Sequence, residues 1–144
     1  MTGSRVALWA LWAAFLALIG VALALPALMP SRPTPWYQAQ SAVAGFVLTL
    51  LALLAGVGTF TLRETLALRD VRSGALDPST PEGFARVRAM LFVLWFLCLV
   101  IALLGCLLAW GAASPRLAWP YGAAAAGLLL WHAPRRRLFE LQSG

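Results

Sequence analysis

The sequence predicts an all-α integral membrane protein of four transmembrane helices, N-in/C-in, with the second and third helices extended into a short cytoplasmic hairpin. Three observations predict it. Four long stretches carry no charge, eleven arginines gather beside those stretches, and most tryptophans and tyrosines fall near their ends. Each is a known mark of a chain solvated by lipid.

Composition sets the frame. The 144 residues are 62% hydrophobic and 11% charged, with a mean hydropathy of +0.84. Soluble domains carry about a quarter charged residues, so this chain has too few charges to clothe a water-facing surface. Residues 1–144 therefore read as a single four-helix membrane domain. Its spans cover approximately residues 6–28, 41–62, 89–113 and 117–133, with a cytoplasmic hairpin at 63–88 and an interfacial tail at 134–144. No length remains for a separate soluble domain.

The first span begins after Arg5 and is rich in Ala, Leu and Trp. Its uncharged run exceeds the roughly 7–15 residues of a signal-peptide core, so it is expected to be retained, despite the cleavage-like Ala22-Leu23-Ala24. Pro26 and Pro30 end it, because proline lacks the donor that helix continuation needs. A stiff loop, Ser31-Arg32-Pro33-Thr34-Pro35-Trp36-Tyr37, leads to the second span. The third is uncharged from Ala89 to Pro115. Its helix is expected to begin earlier, at Thr80-Pro81-Glu82, where an N-cap, a first-turn proline and an acid meet the positive helix end. The fourth span is short and carries Pro120 near its start.

Arginine placement orients the bundle. With the N-terminus inside, nine arginines (Arg5, Arg63, Arg69, Arg72, Arg86, Arg88, Arg135, Arg136 and Arg137) are cytoplasmic, against Arg32 and Arg116 outside. That is a strong positive-inside bias. The aromatics agree, with Trp36, Tyr37, Trp110, Trp119 and Tyr121 at one interface and Trp9, Trp12 and Trp131 near the other. A net charge of +6 borne entirely by arginines beside apolar segments fits orientation in a membrane. No nucleic-acid partner is expected.

Lipid tails are as apolar as leucine, so membrane helices associate at small residues. Every span offers a candidate stripe. These are Ala10, Ala13, Ala17, Gly20 and Ala24 in the first, and Ser41, Gly45, Ala52, Gly56 and Gly58 in the second. The third has Cys98, Ala102, Gly105, Cys106 and Ala109, and the fourth Gly122, Ala123, Ala126 and Gly127. Cys98 and Cys106, eight residues apart on one helix, are roughly 12 Å apart, too far for a disulfide.

Between the second and third spans, Thr61 to Arg72 contains no helix breaker and Ser73-Gly74 is a C-terminal stop. Asp77-Pro78 makes the turn. Glu82 and Arg86 stand at the favourable i, i+4 spacing. This hairpin offers partner-contact candidates in Leu66, Arg69, Val71, Phe84 and Arg86; the alternative is that its two arms simply pack on each other. In the tail, Arg135, Arg136 and Arg137 are candidates for lipid head groups, at about 1 kcal/mol each, with Leu138, Phe139 and Leu141 dipping inward.

Chemistry is conspicuously sparse. Intramembrane acids and bases mark ion paths, yet the middle of every span is free of them. The single histidine, His132, is expected at the interface, facing head groups. No Cys/His/carboxylate set suits a metal, no serine or threonine has a base beside it, and no phosphate-binding glycine loop occurs in the required context. Small four-helix multidrug transporters carry a glutamate in their first span, and four-helix thiol–quinone oxidoreductases a Cys-x-x-Cys pair; this chain has neither.

No cofactor and no catalysis are therefore expected. The expectation is a non-enzymatic accessory, assembly or scaffolding subunit of a larger complex in the cell inner (cytoplasmic) membrane, with membrane lipids and other integral membrane subunits as partners. The alternative is a small self-assembling transporter, lipid flippase or channel for a hydrophobic substrate. A membrane enzyme would have to draw on Glu64, Arg69, Asp70 and His132.

Overall fold

The computed structural model describes residues 2–28 and 41–134, and every regular element among them is helical. The proline-rich loop and the tail, including Arg135, Arg136 and Arg137, lie outside the described residues. Helix α1 runs Thr2–Leu28 with Pro26 in its last turn. Helix α2, Ser41–Arg63, continues through a π-helical turn, Glu64–Leu68, into the short α3, Arg69–Arg72. Helix α4 is Pro81–Gly111, and a 3₁₀ turn, Pro115–Leu117, leads into α5, Ala118–Trp131.

Among the described residues, three helical segments are long and apolar enough to cross a membrane: Val6–Leu28, Ala42–Arg72 and Pro81–Gly111. Large apolar side chains such as Phe46, Leu53, Leu54, Val57 and Phe96 face outward. A water-soluble monomer rarely exposes so much contiguous apolar surface, so the bundle fits a membrane-embedded protein. Helix α5 has 14 residues. At 1.5 Å per residue it covers about 21 Å, short of a hydrocarbon core of about 30 Å.

The signals that begin and end the hairpin helices act as their chemistry requires. Thr80 adopts an extended conformation (ψ 153°) and its Oγ1 accepts from the Gly83 N–H at 3.1 Å, with Pro81 in the first turn. Gly74 takes φ +74°, the left-handed conformation that closes a helix end at little cost to glycine. At the far end of α4, the left-handed residue is Ala113 (φ 53°), and the Ser114 N–H reaches the Ala109 carbonyl at 2.9 Å.

Helix α4 is the hub. It packs against α1, α2 and α5; α1 also lies along α5, whereas α2 and α5 barely meet. The core follows from this arrangement, with Leu91, Leu94, Trp95, Cys98, Ile101 and Ala102 of α4 buried. Phe15 of α1 meets Phe92 edge-on and tilts against Trp95. The small residues of α4 and α5 serve this packing. A Cβ at Gly105 would collide with the Tyr121 side chain, and one at Gly122 with Leu23.

The expected stripe on α1 does not follow this pattern. Ala10, Ala13, Ala17, Gly20 and Ala24 are exposed, and a Cβ at Gly20 would meet nothing within 4 Å among the described residues. The buried face is instead Leu8, Phe15, Ile19 and Ala22. Shape is the reason: α4 presents the large Trp95 and Phe92 at this level, and a bulky residue such as Phe15 fills the space against them better than alanine.

Candidate functional site

Two places gather polar or recessed features. The first is the hairpin. Its two arms pack together through Leu68, Val71 and Val87, all buried, with Leu66, Leu76 and Phe84 half-buried against the same cluster. Of the residues singled out for partner contact, Leu66, Val71 and Phe84 thus spend apolar surface inside the hairpin. Arg86 is engaged as well: its guanidinium meets the Asp70 carboxylate at 2.8 Å, and its Nε–H donates to the Leu66 carbonyl at 3.1 Å. The cross-helix Asp70, not Glu82 one turn away, is therefore Arg86's partner. Arg69 remains exposed. Arg72 pairs with Glu64 across the π turn.

Backbone groups organise the turn itself. The Asp77 carboxylate accepts from the Ser79 backbone N–H at 2.8 Å, and this bond holds its pKa below the ordinary value of 3.8. The bond favours the ionised form.

The second place is a groove between α2 and α5, floored by Ile101 of α4, with a volume of about 750 Å³. Its walls hold small residues from both sides, Ala52 and Gly56 facing Ala124 and Gly127. At one end the Thr49 and Tyr121 hydroxyls lie 2.5 Å apart. Thr49 gives its only proton to the Gly45 carbonyl at 2.7 Å, so Tyr121 is the donor of the pair. At the other end Phe60 lies against His132, ring centroids 5.7 Å apart.

His132 corrects an expectation. It is 1% exposed and does not face head groups. Its carbonyl accepts from the Trp95 Nε1–H at 3.0 Å, while Nδ1 and Nε2 of the imidazole meet no partner among the described residues. Helix α5 ends here, and the Leu128 carbonyl receives the His132 N–H. The ring is thereby folded in beneath Phe60. Proximity to the tail in sequence gave no sign of this, because burial is set by which helix face α4 covers.

Among the described residues no three His, Cys, Asp or Glu side chains gather where they could hold a metal ion. What the arrangement offers is surface for apolar contact, with a hydroxyl pair at one end of a groove. Neither a family model, nor a curated protein, nor a solved structure matches the chain.

Proposed function

We propose that the chain is a non-enzymatic accessory, assembly or scaffolding subunit of a larger inner-membrane complex. In this reading it crosses the bilayer four times, with both termini and the hairpin on the cytoplasmic side. One observation carries the proposal: the α2–α5 side is open, and small residues line the opening. Helices in lipid are held by close van der Waals contact at such residues, and Ala52, Gly56, Ala124 and Gly127 form a ready seat for a helix that the described residues do not supply. The outward face of α1, from Ala10 to Ala24, is a second surface of the same kind.

Support for α5 as the fourth span comes from its path. It runs back along α4 from the Gly105–Tyr121 contact to the Trp95–His132 bond, and Arg135 follows within three residues. Its shortness is of the size that local bilayer thinning accommodates.

The test is purification from native membranes in a mild detergent. Other integral subunits are expected to co-purify with the intact chain, and Gly56→Leu or Ala124→Leu, which fill the groove, are expected to release them while leaving the chain folded. A monodisperse particle of this chain alone would count against the proposal. Because the groove opens sideways and ends at a hydroxyl pair, the second reading is a carrier of lipid or another hydrophobic substrate. Scrambling or flux in liposomes above that of empty ones would favour it.

A further inference from the structure

A separate groove lies between α1 and α4 at the hairpin end, with a volume of about 590 Å³. That is within the range of small-ligand clefts, about 300–1,000 Å³. Leu8 and Leu11 of α1 line one side, and Ala85, Ala89 and Phe92 of α4 the other. The Phe92 ring is braced edge-on by Phe15 at 5.6 Å. Arg88 lines this apolar trough on α4, between Ala85 and Phe92.

Two facts make Arg88 distinctive. First, it has no hydrogen bond or ion pair among the described residues, and the hairpin's acids are committed elsewhere. Glu64 holds Arg72, Asp70 holds Arg86, and Asp77 holds the turn. Glu82, six residues earlier on α4, sits about 120° away around the helix. Second, depth: residues 89–111 carry no charge and span about 34 Å, close to the thickness of a hydrocarbon core. Arg88 is the last charge before that run, and so stands at the level of lipid phosphates.

We propose that this groove binds one anionic phospholipid, its phosphate on the Arg88 guanidinium and an acyl chain along Leu11, Ala89 and Phe92. The pairing is chemical. A cation lining an apolar trough selects a molecule that is anionic at one end and greasy at the other, and an arginine takes phosphate bidentately. A zwitterionic lipid neutralises its own phosphate and gains less. A partner helix would have to bring an acid to the same spot; a lipid carries its phosphate there by default.

The experiment uses the full chain in mild detergent, with phosphatidylglycerol or phosphatidylcholine added and retained lipid counted by native mass spectrometry. Phosphatidylglycerol is expected to be preferred about fivefold, the scale of one arginine at a head group. Arg88→Gln should abolish the preference, and Arg69→Gln, exposed on the hairpin outside the groove, should keep it. Ala85→Leu, which fills the trough and leaves every charge in place, should lower retention of both lipids. Preference persisting in Arg88→Gln, equal loss in Arg69→Gln, or unchanged retention in Ala85→Leu would each overturn the assignment.

Discussion

The Trp95 indole N–H donates to the backbone carbonyl of His132 at 3.0 Å, and the imidazole of that histidine is buried with neither nitrogen partnered among the described residues. The backbone of His132, more than its side chain, ties α5 to the hub helix. Trp95→Phe keeps an aromatic ring but strands the carbonyl, and is expected to cost about 1–3 kcal/mol. His132→Leu replaces an unsatisfied polar group with an apolar one and should be neutral or stabilising. Thermal unfolding of both variants in the same detergent decides this. If His132→Leu loses as much as Trp95→Phe, the imidazole has a role that its surroundings do not reveal.

Glycines in this bundle divide into two kinds. Gly105 and Gly122 admit Tyr121 and Leu23 at distances that no Cβ tolerates, whereas Gly20 and Gly127 face open space. Gly105→Ala and Gly122→Ala should destabilise the chain by about 1–3 kcal/mol through overpacking. Gly20→Ala and Gly127→Ala should leave its melting temperature nearly unchanged, and any effect should appear only in the assembly with partners. Equal destabilisation by all four would mean that the outer faces are covered within the chain.

The hairpin turn should be sensitive to acid. The folded pKa of Asp77 lies below 3.8 because the carboxylate accepts the Ser79 N–H. A depressed carboxylate contributes its stability above the unfolded value and loses it as pH falls through the folded one. The protection factor of the Ser79 amide, its exchange by NMR in micelles relative to the intrinsic rate at each pH, should fall as the carboxylate is protonated below about pH 4. Asp77→Asn retains an acceptor and should abolish the pH dependence. An amide whose protection is flat with pH in the parent chain would refute the assignment.

Element boundaries were largely legible, and faces were not. Charge-free runs and their arginine borders locate α1, α2 and α4, and Thr80-Pro81 and Ser73-Gly74 mark the hairpin because caps and left-handed glycines are local chemistry. A helix that is apolar all round gives no such signal about which side turns inward. Hence the small stripe Ala10, Ala13, Ala17, Gly20 and Ala24 lies outside, while Leu8, Phe15 and Ile19 lie inside. The same holds for the α2–α5 groove and the Arg88 trough. Both are gaps between helices, and a gap is a property of three-dimensional packing that no stretch of the chain encodes alone. The burial of His132 and the pairing of Arg86 with Asp70 escape the sequence for a related reason, since Trp95 and Asp70 come from other helices.

The π turn at Glu64–Leu68 sets the azimuth of everything beyond it. Eighteen residues of uninterrupted α-helix are five full revolutions, so a regular rod would carry Asp70 on the same line as the buried Ala52. In the π turn the Arg69 N–H bonds back to Glu64, five residues away, and the winding absorbs one extra residue. Val71 therefore arrives at that bearing and is buried, while the carboxylate of Asp70 is displaced to the flank, where Arg86 meets it. A single surplus residue converts what would be a stranded charge in a greasy seam into a clasp between two arms.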